Sequence, residues 1–127
     1  MRFLLFSCMF LTLSCTNPAT ESGISKLAPD AFAAMLKSNP DLPLIDVRTP
    51  EEFQSGHISG ARNWNINDGD LAIKAASLDK LQPVLVYCKV GGRSQKAADQ
   101  LVKAGFIQVI DLKGGFDAWK ASGMPVE

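Results

Sequence analysis

The chain has 127 residues, 46% of them hydrophobic, which suits one compact domain and leaves no room for a second. Its 13 Lys and Arg residues balance its 13 Asp and Glu residues. A protein with that balance has no broad basic surface to neutralise a nucleic-acid backbone, so we exclude nucleic acid as a partner.

The N-terminus resembles an export signal followed by a lipid-attachment site. A positive charge precedes an apolar run from Phe3 to Leu13, which is shorter than the ~20 residues that cross a bilayer as a helix. Residues 11–15 resemble a bacterial lipobox, although Thr12 replaces the usual aliphatic residue. We predict a signal peptide over 1–14, a lipid on Cys15 and a location in the cell envelope, periplasmic or extracytoplasmic. Cleavage at another site, leaving a soluble periplasmic protein, stays open.

Export changes how the three cysteines are counted. Cleavage before Cys15 removes Cys8 and the lipid occupies Cys15, which leaves Cys88 as the single free thiol. In an oxidising compartment an unpaired cysteine is a liability unless it is buried or used. The residues around Cys88 therefore decide between inert packing and chemistry.

The rest of the chain alternates strand and helix signals. We predict a flexible tether over residues 15–23 and the domain over 24–127. The linker-like composition itself runs as far as Ser25, slightly past the start that we give to the domain. Runs suited to strands lie at 44–47, 63–66, 84–87 and 108–110. Segments suited to helices begin at 29, ending before 40, and lie at 70–76, 94–104 and 116–121. Alternation of this kind predicts an α/β domain in three layers, a central mainly parallel sheet with helices on both faces.

Cys88 stands where a predicted buried strand enters a glycine-containing loop that runs straight into a helix. In open α/β sheets, ligands bind beyond the carboxyl ends of strands, where helix N-termini direct unpaired N–H groups. Gly91 and Gly92 allow successive loop N–H groups to converge as an anion-binding nest, and Lys89 and Arg93 add positive charge. These features favour a thiolate, so we predict that Cys88 is a nucleophile. A simple solvated role for either cation stays open.

Several motifs together resemble the rhodanese family, from about Ile24 to Val126. The matching segments are 45–48, 51–53, 56–61, the active loop 88–94 and a closing segment over 105–119. The resemblance implies a sulfurtransferase that moves a sulfane sulfur from a donor such as thiosulfate, a polysulfide or a persulfide to a thiol or cyanide. The sulfur would pass through a persulfide on Cys88, without a metal or organic cofactor. We expect a monomer that meets the membrane only through its lipid.

The resemblance also assigns roles to other residues. Substrate binding falls to Lys89, Val90, Gly91, Gly92, Arg93 and Ser94, whose N–H groups would stabilise the anionic sulfur while the two cations hold an anionic donor. Asp46, Arg48 and His57 would form a polar bracket that orders the loops beside the site. A Cys–His dyad is the weaker interpretation, because a thiolate stabilised by a nest needs no general base. We expect Trp64 and Trp119 in the core.

Two other classes of function stay open. Cysteine phosphatases and arsenate reductases use a related loop, but they place one more residue between Cys and Arg than the stretch Lys89 to Gly92 provides. A non-catalytic persulfide carrier or partner-docking module at the cell envelope fits the same residues.

Overall fold

The computed structural model describes residues 23–127, so the predicted signal peptide and Cys15 lie outside the described residues. The elements in chain order are β1 Gly23–Leu27, α1 Pro29–Ser38, β2 Leu44–Asp46, α2 Pro50–Gln54, β3 Arg62–Asn63, α3 Asp70–Ala75, β4 Val84–Tyr87, α4 Gly92–Lys103, β5 Gln108–Leu112 and α5 Gly115–Ala121. No helix in this part of the chain combines the length and apolarity needed to cross a membrane.

The strands form one parallel sheet in the order β1-β5-β4-β2-β3, with β4 at its centre. All four residues of β4 are buried, and their side chains alternate between the two faces. Val84 and Val86 join a core with α3 and α4, whereas Leu85 and Tyr87 join a core with α1 and α5. The predicted α/β fold with a central parallel sheet and helices on both faces is confirmed.

Two elements, β1 and α2, were not predicted from the sequence. β1 pairs with β5 from Gly23 to Leu27, so the tether composition that ran to Ser25 overlaps a strand that begins at Gly23. The five-residue helix α2 is too short for a periodic pattern to show. The third strand is also shorter and earlier than expected, at Arg62–Asn63, and Trp64 follows it as a buried residue of the α3 and α4 core.

α2 begins with a complete capping box. The Thr49 hydroxyl accepts the N–H of Glu52, and the Glu52 carboxylate accepts the N–H of Thr49. The same carboxylate makes a two-pronged ion pair with Arg93 in the first turn of α4, at 2.6 and 2.8 Å. The hydrogen bonds from Arg93 and Thr49 hold the pKa of Glu52 at about 2, against the partial burial that raises it. One carboxylate thus caps α2 and ties it to α4.

The start of α5 lies directly against the backbone that follows β4. The N–H groups of Phe116 and Asp117 donate to the carbonyl oxygens of Cys88 and Lys89, at 2.8 and 3.0 Å. Gly115 makes this approach possible, because a Cβ there would lie 2.5 Å from the carbonyl carbon and oxygen of Lys89. Its φ of +65° also lies in the left-handed region that favours glycine.

We predict that Gly115→Ala lowers the free energy of unfolding by about 3 kcal/mol, the sum of left-handed strain and overpacking. Gly123→Ala is the matched control, since Gly123 also has a positive φ but open space where the Cβ would stand. It should cost about 1 kcal/mol. Denaturant unfolding of both variants measures the difference. Equal losses would show that the contact with Lys89 does not constrain α5.

The Glu52–Arg93 pair predicts a specific dependence of stability on pH. The pKa of Glu52 falls from an ordinary 4.5 to about 2 on folding, so its contribution is complete above about pH 4.5 and is lost as the pH falls to about 2. The difference in Tm between the wild type and Glu52→Gln should be largest near neutral pH and shrink across that window. The neighbouring exposed residue supplies the control, Glu51→Gln. A difference that stays constant with pH would contradict the assignment.

Candidate active site

Cys88 is the first residue after β4 and lies on the same face as Val84 and Val86, under the first turn of α4. The Gly91 N–H donates to its Sγ at 3.1 Å, and the thiol donates to the Ser94 hydroxyl at 3.4 Å. The Ser94 hydroxyl in turn donates to the carbonyl of Gly91 at 3.2 Å. The sulfur is therefore held between a loop amide and a helix hydroxyl.

Fewer backbone N–H groups of the described chain contact the sulfur than in the nest that the sequence predicted. Within residues 23–127, Gly91 is the one residue whose backbone N–H is in hydrogen-bonding geometry with Sγ. α4 begins at Gly92, two residues earlier than predicted, so Arg93 and Ser94 belong to its first turn. Cys88 is 1% exposed, while Val90, two residues further along the loop, is 63% exposed. The loop presents its apolar tip to solvent and encloses the sulfur beneath it.

Both cations of the loop have acidic partners. Arg93 is paired with Glu52, and this hydrogen-bonded partner raises the pKa of Arg93. Lys89 contacts Asp117 at 3.0 Å, and both of these side chains are largely exposed. An exposed pair of this kind contributes little to stability and exchanges readily with other ions. Lys89 is thus easily released to an incoming anion, whereas Arg93 is fixed in place.

Asp46 and Arg48 form a buried pair at the end of β2. Arg48 donates through Nε and Nη2 to the Asp46 carboxylate, at 2.6 Å for the shortest contact, and through Nη2 to the Gly56 carbonyl at 2.7 Å. Burial is the largest single influence and lowers the pKa of Arg48, but the hydrogen bonds and charge of Asp46, together with Tyr87 and Glu52, outweigh it and leave the pKa raised. The guanidinium also lies 4.4 Å from the ring centroid of Phe116. The pair thereby joins β2, the loop at Gly56 and α5.

His57 has partners of its own. Its ring stacks on Phe53 at 3.8 Å between centroids, Nδ1 is 3.0 Å from the Phe53 carbonyl, and Nε2 is 3.4 Å from the Glu127 carboxylate. The structure therefore does not bring His57 and Cys88 together as a hydrogen-bonded dyad. Of the three residues expected to form a polar bracket, Asp46 and Arg48 are hydrogen-bonded to each other. His57 follows Gly56, whose carbonyl accepts from Arg48, but the His57 ring pairs with Phe53 and Glu127.

Two residues beside the site were not singled out as functional from the sequence. Glu52 could have been found from its spacing to Thr49, which is that of a capping box, but its pairing with Arg93 spans 41 residues. No sequence motif around Asp111 in β5 marks it as functional. It is 1% exposed, and its Oδ1 has no hydrogen-bond partner in the described part of the chain. Trp64 and Trp119 are buried in the two cores, as expected.

Comparisons with known proteins agree with this architecture. A family model described as a rhodanese-like domain matches residues 28–122. A thiosulfate sulfurtransferase, GlpE of Pseudomonas putida, is 38% identical over 97 residues, covering 76% of this chain and 86% of that protein. A sulfurtransferase of Allochromatium vinosum is 29% identical over 103 residues, covering 81% of this chain and 94% of its own length.

Solved structures share the fold. The Alr3790 protein from Anabaena superposes with a TM-score of 0.72 at 32% identity, covering 80% of this chain and 90% of that chain. A protein from Rhodopseudomonas palustris, described as a possible tyrosine phosphatase, gives a TM-score of 0.72 at 28% identity over 85% of this chain and 88% of its own. With the family model spanning most of the described residues and the curated relative aligned over the same region, the chain belongs to the rhodanese-like sulfurtransferase family.

Proposed function

We propose that this protein moves a sulfane sulfur from a donor such as thiosulfate, a polysulfide or a persulfide to a thiol or cyanide, by way of a Cys88 persulfide. The observation that carries the proposal is the position of the Cys88 sulfur, between the Gly91 N–H and the Ser94 hydroxyl at the start of α4. Both groups can donate to an anionic sulfur, and the helix N-terminus adds a favourable field.

The reaction is a double displacement. The Cys88 thiolate attacks the outer sulfur of the donor, a new S–S bond forms, and the donor's own bond to that sulfur breaks, so the remainder leaves with the electron pair. With thiosulfate the leaving group is sulfite. An acceptor thiolate or cyanide then attacks the outer sulfur of the persulfide, and the Cys88 thiolate leaves. Neither step requires a cofactor.

The loop cations are suited to different parts of this reaction. Arg93 gives two of its N–H groups to Glu52 and retains others in a rigid fork, so it can orient a donor without moving. Lys89 is held by an exposed pair with Asp117 and can turn to meet the charge of a donor such as thiosulfate. Val90 at the exposed tip would meet the acceptor first.

A non-catalytic carrier or docking module is the alternative that an observation favours. Val90 is 63% exposed beside a cysteine that is 1% exposed, which suits a loop that presents itself to a protein partner rather than to a small molecule. A phosphatase or arsenate reductase has less support. The loop from Cys88 to Arg93 is one residue shorter than in those enzymes, which leaves less room for a tetrahedral oxyanion.

The test of the enzymatic proposal is steady-state formation of thiocyanate from thiosulfate and cyanide. Wild type should turn over, and Cys88→Ser should fall to the rate of the uncatalysed reaction, because the persulfide cannot form. Cys15→Ser is the control and should retain full activity. Mass spectrometry after thiosulfate should show one added sulfur on the Cys88 peptide. Partner binding without turnover in either form would favour docking, and phosphate-ester hydrolysis alone would favour a phosphatase.

We also propose that the protein is exported and anchored through a lipid on Cys15. The support is the charge, apolar run and lipobox resemblance of residues 1–15, together with the single free thiol that processing would leave. Mass spectrometry of the protein from its own host should show an acylated Cys15 at the N-terminus. In Cys15→Ser the lipid should be lost and the protein should leave the membrane fraction. A wild-type chain that retains Met1 and stays inside the cell would contradict the proposal.

A further inference from the structure

The Cys88 thiol has to lose a proton before it can attack, and the structure limits where that proton can go. The sulfur is buried and only the Gly91 N–H of the described backbone donates to it, so water and the loop amides stabilise a thiolate less than the sequence suggested. His57 is engaged with Phe53 and Glu127. The hydrogen bond that does leave the thiol runs to the Ser94 hydroxyl, at 3.4 Å.

Beyond Ser94 lies Asp111, on the neighbouring strand. The register pairs Asp111 with Val86, two residues before Cys88, and Asp111 is two residues after Val109, which faces the α4 core. Because side chains alternate along a strand, Asp111 points to the same face as Val86 and Cys88. Its carboxyl is buried, with Oδ1 unpartnered in the described chain. A buried carboxylate oxygen without a hydrogen-bond partner is costly, so its retention calls for a physical reason.

The charged and titratable groups around Asp111 come from three elements. Burial raises the pKa of Asp111, and the Ser94 side chain, the charge of Lys26 and the N–H of Leu112 lower it, leaving a net rise. Lys26 faces it from β1 as its register partner. Cys88 lies on the same face just after β4, and Ser94 faces Asp111 from α4, within hydrogen-bonding reach of its carboxyl. A carboxylate with a raised pKa is a better proton acceptor than an exposed one.

We propose that Asp111 accepts the proton of Cys88 through the Ser94 hydroxyl, and so assists formation of the attacking thiolate. The proton moves from the Cys88 sulfur to Ser94 Oγ while the hydroxyl proton of Ser94 moves to the Asp111 carboxylate. One S–H and one O–H bond break, two O–H bonds form, and the buried site keeps the same net charge. In the resting structure the Ser94 hydroxyl proton points to the Gly91 carbonyl, at 3.2 Å between the two oxygens, so this proton has to change its acceptor from that carbonyl to the nearby Asp111 carboxylate for the transfer.

This role rests on the proposed function, since it concerns the thiol that would carry the persulfide, but it is measured without any sulfur donor. Alkylation of Cys88 by iodoacetamide reports its thiolate directly, and mass spectrometry of the Cys88 peptide separates it from the other cysteines. Failure of sulfur transfer in the wild type would overturn the proposed function alone. The alkylation comparison below would still decide the role of Asp111.

The decisive variant is Asp111→Asn, which keeps the shape and removes the proton acceptor. Between about pH 6 and about pH 8, alkylation of Cys88 in the full chain should slow by about tenfold or more, the lower range of general-base effects. At high pH, where hydroxide removes the proton, the two rates should converge. Asp99→Asn is the control, because Asp99 lies on the exposed side of α4. Its profile should match the wild type.

An unchanged or faster rate in Asp111→Asn would overturn the proposal, since a faster rate is what relief of like-charge repulsion would give. The relay through Ser94 has its own test. In a Ser94→Ala background, Asp111→Asn should cause no further slowing, and an equal slowing in both backgrounds would exclude Ser94 as the intermediary. Thermal unfolding checks that each variant folds. If Asn is not accommodated, Asp111→Ser is smaller, equally unable to accept the proton, and carries the same expectation.

Discussion

The position of β4 at the centre of the sheet is the constraint on which the site depends. A strand covered on both faces must send alternate side chains into two different cores, and here Val84 and Val86 share one core while Leu85 and Tyr87 share the other. Cys88 continues the first set. Its thiol is therefore buried under the first turn of α4, at the carboxyl ends of the parallel strands, where the N-termini of helices also lie.

The loop after Cys88 is held from outside as much as from within. The N–H groups at the start of α5 donate hydrogen bonds to the carbonyls of Cys88 and Lys89, and this close contact requires the glycine at position 115. From the other side, Glu52 fixes Arg93 through a two-pronged ion pair. A loop restrained in this way loses little conformational entropy when it binds a ligand, so its polar groups are preorganised.

Charge at the site is balanced locally. Arg93 and Lys89 each have a carboxylate partner, and the buried Arg48 has Asp46. Because a carboxylate already neutralises part of each positive charge, these cations attract an anion less strongly than unpaired cations would. What distinguishes Asp111 within the described chain is the opposite situation, a buried carboxyl oxygen with no hydrogen-bond partner on the face of the sheet that carries the thiol. The site thus combines three ion pairs with one buried carboxyl group that has an unpartnered oxygen.

Several features were predictable because their causes are local. The run at 84–87 is hydrophobic at every position, and the run at 44–47 at every position except Asp46, which indicates strands covered on both faces. The two glycines in the loop after Cys88 mark a turn into a helix. β1 was missed because its segment is partly exposed and has the composition of a linker. α2 was missed because five residues are too few to show a helical period, although the Thr49 and Glu52 spacing marks its start.

The sequence by itself determined the fold class, the family resemblance, the cysteine at the end of a buried strand and the signal-like N-terminus, since each depends on patterns of neighbouring residues. Tertiary structure decided which groups meet. Glu52 reaches Arg93, α5 reaches the loop, His57 turns to Glu127, and Asp111 comes to the face of Cys88. Each of these contacts joins segments far apart in the chain, and strand order and register, which local patterns do not encode, bring them together.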